Sequence, residues 1–235
     1  MIVRGLRIRD AGLSDKSDCI SIYGVTQHVV IEHVSISNCG DGAVDISAGP
    51  KDITLQWNLF STRIPHLWGS TTDSPRADTD RISMHHSLVI CGGLPVCDRF
   101  SLIRASGFPL RADLRENVFQ GWTRTNGTKI EPAARVNVVG NAYIPRPEST
   151  FEQRAASLQV NDGTRVYASG NVELGEAPRP NLNDSGNAPA PLPAPAITPV
   201  ALGCVVQGAG MTPRDAEDQR LLVFVSAVTA VCNPK

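Results

Sequence analysis

Five segments of this chain carry one frame, and that repetition restricts the fold more than any other feature. They are "DITLQWNLF" (52–60), "RISMHHSLVI" (81–90), "ADLRENVFQGW" (112–122), "ARVNVVGNAYI" (134–144) and "TRVYASGNVEL" (164–174). In each, alternating apolar residues lead to a polar slot held by Asn58, Ser87, Asn117, Asn141 or Asn171, at spacings of 24 to 30 residues. Two residues on stands a large apolar side chain, Phe60, Val89, Phe119 or Tyr143; the fifth copy has Glu173 there, between Val172 and Leu174. A loose period of this size marks a solenoid. With strand-like runs and no helical periodicity, the solution is a parallel β-helix, an all-β fold whose coils stack at the ~4.8 Å sheet spacing. An inward Asn at each bend would bond its neighbour's backbone and form a ladder. The broken fifth copy fits a terminal coil. An antiparallel sandwich also has many short strands, but it gives the repeated slot no purpose.

Shorter runs precede the frame: "IVRGLRI" (2–8), "CISIYG" (19–24), "VVIEHVSI" (29–36) and "AVDIS" (43–47). The start reads as the middle of a strand pattern, without the apolar core or cleavage site of a signal peptide, and suggests a mature fragment or a missing upstream part. Residues 1–176 are therefore expected to form the β-helix domain. From 177 to 235 the chain turns rich in Pro, Ala and Asn, then offers "TPRDAEDQRLLVFVSAV" (212–228). The first part should be extended and irregular. The second predicts a short helix with Thr212 as N-cap and Pro213 at its first position, packing on or capping the same domain.

A formal net charge of -1 gives no bulk attraction to nucleic acid or an anionic membrane. No run approaches the roughly 18 apolar residues that a membrane span needs. Neither partner is expected, and a monomer is. The six cysteines, Cys19, Cys39, Cys91, Cys97, Cys204 and Cys232, show no C-x-x-C spacing. A zinc or iron-sulfur site is thus disfavoured. Cys91 with Cys97, or Cys204 with Cys232, are candidate disulfides, and buried free thiols are the alternative.

The stretch "VVIEHVSISNCGDGAVDIS" resembles a signature of the pectate lyases of polysaccharide lyase family one. "DITLQWNLF", "RISMHHSLVI", "DRFSLIRASG", "ADLRENVFQGW" and "ARVNVVGNAYIPRPES" follow in that family's order, and "GAGMTPRDAEDQRLL" resembles the C-terminal segment of some bacterial members. The resemblance covers about residues 2 to 175 and implies a right-handed parallel β-helix, a polygalacturonate substrate, Ca²⁺, and a secreted or periplasmic location. It puts the calcium ligands on Asp18, Asp41 and Asp45, the proton-abstracting base on Arg99 and the uronate grip on Arg104. Where the family often has a further Asp, Lys16 stands here. Where it commonly has a lysine, Ile64 or Pro65 falls; Arg63 is the nearest cation and His66 the next.

The residue types suit the chemistry. Cleaving a uronate chain by β-elimination removes the weakly acidic C5 proton beside a carboxylate. A hard divalent ion held by protein oxygens spreads the developing charge. Arginine is an unusual base, with a pKa above about 12. Neighbouring cations in a site shielded from water disfavour the protonated guanidinium. A planar guanidinium also grips a carboxylate through paired bonds. The expectation is a calcium-assisted pectate lyase giving 4,5-unsaturated oligogalacturonides. A calcium-independent pectin lyase acting on esterified chains, and a non-catalytic β-helix that binds acidic polysaccharide, are the alternatives.

Other polar residues read as structural. His85 and His86 match a strand signature of the family, and strand alternation would point them to opposite sides. His33 is expected to bond backbone. "NGT" (126–128) and "NDS" (183–185) fit glycosylation sequons, relevant only in a eukaryotic secretory route.

Overall fold

Each apolar frame is two short strands meeting at a corner, with the polar slot standing between them at the expected bend. The computed structural model describes residues 1–9, 17–62, 64–69, 79–90, 102–103, 110–121, 126–131, 134–144, 156–160 and 164–173. In sheet one the strands run β1 (Ile2–Arg4), β4 (Gln27–Glu32), β7 (Lys51–Gln56), β10 (Asp80–His85), β13 (Arg111–Arg115), β16 (Arg135–Val139) and β19 (Arg165–Ser169). Sheet two runs β2 (Arg7–Arg9), β5 (Ser35–Ser37), β8 (Leu59–Ser61), β11 (Leu88–Ile90), β14 (Val118–Gln120), β17 (Ala142–Ile144) and β20 (Val172–Glu173). Sheet three runs β3 (Ile20–Tyr23), β6 (Gly42–Ser47), β9 (Ile64–Trp68), β12 (Leu102–Ile103), β15 (Asn126–Ile130) and β18 (Ala156–Val160). Neighbouring strands pair in parallel, one strand per sheet per coil, which is the expected parallel β-helix. The Pro-rich segment and the helix predicted at 212–228 lie outside the described residues.

The corner between sheets one and two has a backbone cause. Gly5, His33, Trp57, His86, Glu116, Gly140 and Gly170 all take positive φ, from 52° to 69°. One left-handed residue per coil turns the chain, and the polar slot follows it directly. There Asn117 Oδ1 accepts from Ser87 N (3.1 Å), Asn141 Oδ1 from Asn117 N (3.0 Å) and Asn171 Oδ1 from Asn141 N (3.0 Å). Each Asn Nδ2 in turn donates to a carbonyl of an earlier coil, as Asn117 does to Met84 O at 2.9 Å. Asn58, Ser87, Asn117 and Asn141 are fully buried, so these bonds replace water that cannot reach them. Ser87 keeps the ladder with its hydroxyl, accepting from Asn58 N at 3.2 Å and donating to His85 O at 3.1 Å.

Inward residues stack by register. Val29, Ile53, Ile82, Ala112, Val136 and Val166 form one row, and Ile31, Leu55, Met84, Leu114, Val138 and Ala168 the next. Burying each large aliphatic side chain contributes about 1.5–3 kcal/mol. Phe60, Val89, Phe119 and Tyr143 make a third row, with the Phe119 and Tyr143 rings stacked at 5.1 Å. The Tyr143 hydroxyl meets Thr128 Oγ1 at 3.1 Å inside the core, so the threonine of the "NGT" sequon is a buried structural residue.

The two histidines correct the alternation expected of them. β10 ends at His85, and His86 has φ of 53°, so the rings share one side, with Nδ1 atoms 2.9 Å apart. His86 Nε2 reaches Glu116 Oε2 at 2.5 Å, and Trp57 packs on the His86 ring at 4.4 Å. Burial lowers the pKa of His85, and its neighbour His86 lowers it further. Burial lowers His86 as well, against the opposing pull of Glu116. His33 also sits at a left-handed corner, with its side chain exposed.

Candidate functional site

The site is built on the outer face of sheet three, where the first two coils meet. Ile22, Val44 and Ile46 point inward and are buried, so Ser21 and Asp45 between them point outward. β3 pairs with β6 through Ile20↔Val44 and Ser21↔Asp45. The pairing continues past the strand start: Cys19 N donates to Gly42 O and Asp41 N to Ser17 O, both at 2.9 Å. Asp18 therefore stands beside Gly42, a separation of 24 residues in the chain. The expected adjacency of Asp18 to the Asp41–Asp45 stretch is present.

Gly42 makes the convergence of carboxylates fit. Its N–H donates to Asp18 Oδ1 at 3.0 Å, and Ser21 Oγ donates to Asp18 Oδ2 at 2.8 Å. A Cβ added at Gly42 would stand 3.0 Å from Asp18 Oδ1 and would collide outright with Asp45 Oδ1. The glycine is needed for space, not for a left-handed turn, because its φ is not positive. The room left by the absent side chain is taken by the Asp45 carboxylate, which brings carboxylate oxygens of two coils together over Gly42 as the edges of a shallow cradle. Such oxygens are the donors that a hard divalent cation takes. Asp41 lies one residue before the cradle, half-buried. Among the described residues no three His, Cys, Asp or Glu side chains converge as a metal-holding group, so the described core of the site is the Asp18 and Asp45 pair.

A disulfide braces this place. Cys19 and Cys39 are bonded, their Cα atoms 5.4 Å apart, closing a separation of 20 residues. This pairing differs from both pairs considered above, whose cysteines 91, 97, 204 and 232 lie outside the described residues. The bridge joins the residue after Asp18 to the turn that leads into Asp41. The sequence shows Cys19 and Cys39 only as two of six cysteines, with no signal that pairs them.

The remaining predicted site residues divide simply. Arg63, Arg99 and Arg104 lie outside the described residues. On β9 the register partner of Gly42 is Ile64 and that of Val44 is His66, so Leu67, and not His66, pairs with Asp45. Sequence reasoning missed Gly42 and Ser21. Neither belongs to the site residues that the family resemblance marks, although Gly42 stands directly after Asp41. Its spatial role shows only once the coil of Asp18 is laid beside it.

No protein-family model matches this sequence, and a search of curated proteins found no match. Solved structures do match. A pectate lyase from Bacillus sp. N165 in complex with trigalacturonate superposes with a TM-score of 0.60 at 17% identity, over 88% of this chain and 65% of that one. A pectate lyase bound to a hexasaccharide gives 0.57 at 17% identity, covering 88% of this chain and 59% of that one. A pectate lyase studied for an anti β-elimination mechanism gives 0.59 at 18% identity with the same coverage. The chain thus shares the β-helix fold of these enzymes and spans 59% to 65% of their length.

Proposed function

We propose that this chain is a calcium-dependent lyase of de-esterified polygalacturonate, a pectate lyase. The observation that carries this reading is the oxygen-lined cradle between Asp18 and Asp45 on the outer face of a parallel β-helix. Its fit to a hard cation supports calcium, and the shared fold with pectate lyases supports the substrate class. Calcium held there would neutralise the substrate carboxylate and make the neighbouring C5 proton more acidic. Asp18 and Asp45 would hold the ion; Asp41, one residue before Gly42 and not converged with the pair, would have to turn toward them to serve as the third ligand.

The chain's own groups would do the rest. Arg99 takes the C5 proton; the electrons it leaves form the C4–C5 double bond, and the glycosidic C4–O bond breaks. The departing oxygen takes a proton from solvent, leaving a 4,5-unsaturated uronate end. Arg104 grips the uronate with paired N–H bonds, and Arg63 supplies a second cation. The Cys19–Cys39 bond supports an oxidising compartment, periplasmic or extracellular.

The test is ultraviolet absorbance of the unsaturated product on polygalacturonate, with calcium and with chelator. Product that needs calcium, and that Arg99→Ala abolishes while calcium still binds, is expected. Product unaffected by chelator would instead indicate pectin-lyase-like chemistry. No product with retained binding would leave a polysaccharide-binding module.

A further inference from the structure

Sheet one carries a second charged surface, on a different face of the solenoid from the carboxylate cradle. Arg111, Arg135 and Arg165 are register partners on β13, β16 and β19, with Arg81 beside Arg111 and Asp52 beside Arg81. Arg81 and Arg111 are neutralised. Arg81 donates to both oxygens of Asp52 at 2.6 and 2.7 Å. Arg111 grips Asp80 through Nε at 3.0 Å, through Nη2 and through its backbone N–H at 2.9 Å. Arg135 and Arg165 are exposed and have no ion-pair partner among the described residues. Adjacent strands hold their backbones ~4.8 Å apart, so two like charges rise from neighbouring positions of one face.

Two residues further on, Asn137 and Tyr167 are also register partners. Val136 and Val166, between these and the arginines, are buried, so all four side chains share the outer face. We propose that Arg135, Arg165, Asn137 and Tyr167 form an accessory binding site for an acidic polysaccharide. The guanidinium pair would take a uronate carboxylate. The Tyr167 ring offers an apolar face with a polar tip, and the Asn137 amide can both donate to and accept from sugar hydroxyls. The choice of polyuronate rests on the proposed lyase function. A chain held here and in the catalytic groove would gain avidity that a short oligomer cannot.

The test is retardation of the protein in gels containing polygalacturonate plus chelator, comparing wild type with the Arg135→Ala/Arg165→Ala double variant and with Tyr167→Ala. The double variant should bind about 5- to 10-fold more weakly, and Tyr167→Ala should weaken binding to a smaller degree. In lyase kinetics the double variant should raise KM for the polymer, leave kcat unchanged and leave trigalacturonate turnover unchanged. Unchanged retardation of the double variant overturns the site, even if the wild type is a lyase. Equal retardation by polyglutamate, which offers carboxylates without sugar rings, overturns it as a polysaccharide site. Retardation that depends on Arg135 and Arg165 in a protein that releases no unsaturated product keeps the site and rejects the lyase.

Discussion

The asparagine ladder and the carboxylate cradle use the same geometry for opposite ends. Both set polar side chains of neighbouring coils beside one another. In the ladder Asn117, Asn141 and Asn171 point inward, and backbone groups satisfy them completely enough to exclude water. In the cradle Asp18 and Asp45 point outward around a missing side chain, and two acceptor-only groups of the same charge converge. The first arrangement lowers energy by closing on itself. The second sets two carboxylates side by side on the surface, the arrangement from which the proposed cation site is argued. A stacked repeat can thus be read by asking which positions recur and which occur once.

The sharpest way to break the contrast is to neutralise the cradle. Asp45→Asn with Asp18→Asn should cut calcium-supported lyase activity by roughly 10³-fold, about 4 kcal/mol at the transition state. Its melting temperature should stay within about 2 °C of wild type, because outward polar substitutions change stability little. Asn117→Leu should do the reverse. It strands Ser87 N and Met84 O in the core, where each orphaned group costs about 1–3 kcal/mol. A total near 3 kcal/mol would lower the melting temperature by roughly 6–12 °C for a chain of this size, with calcium affinity preserved in the folded protein.

The disulfide tests whether the two regions are separable. Cys19→Ser with Cys39→Ser should cost about 2–3 kcal/mol in a denaturant titration, because it frees a loop in the unfolded chain. It should also weaken calcium binding several-fold, since the bridge braces the residue next to Asp18, whereas the ladder variant should not.

The smallest effect concerns the histidine corner. His85 and His86 have pKa values held below the ordinary 6.5, mainly by burial. The unfolded chain then binds more protons below 6.5, so their stability contribution is full above that pH and is lost as pH falls through the folded values. Both rings are partly open to solvent, so the loss should stay under about 1 kcal/mol. Thermal melts from pH 7 to 5 should show the decline, and His86→Gln should flatten it. A second decline below about pH 3.8 should follow from Asp52 and Asp80. Hydrogen bonds from Arg81 hold Asp52 below that value. Burial pushes Asp80 upward, but its bonds from Arg111 more than offset this.

Legibility followed the same division. Sheets one and two were visible because their strands carry the repeated frame, with Asn58, Asn117, Asn141 and Asn171 marking the bend. The left-handed residue that makes the bend was missed, since Gly, His, Trp and Glu all occupy that position and share no composition. Sheet three was legible only in its first coils. Its later strands, such as "NGTKI" at Asn126–Ile130, carry no common frame because they follow connections of varied length. Asp18 and Asp45 were reachable through the family resemblance. Gly42 was not, because the space it leaves is defined by a residue 24 positions earlier. His85 and His86 were misjudged because period-2 alternation fails at a left-handed residue.

Calcium titration by calorimetry, on Arg99→Ala protein saturated with trigalacturonate so that no turnover intervenes, tests the cradle most directly. Binding is expected, and adding Gly42→Val or Asp45→Asn should weaken it at least 10-fold, since one fills the cradle and the other removes a charged ligand. No calcium binding, or binding that is equally tight in both variants, would contradict a calcium centre at Asp18, Gly42 and Asp45.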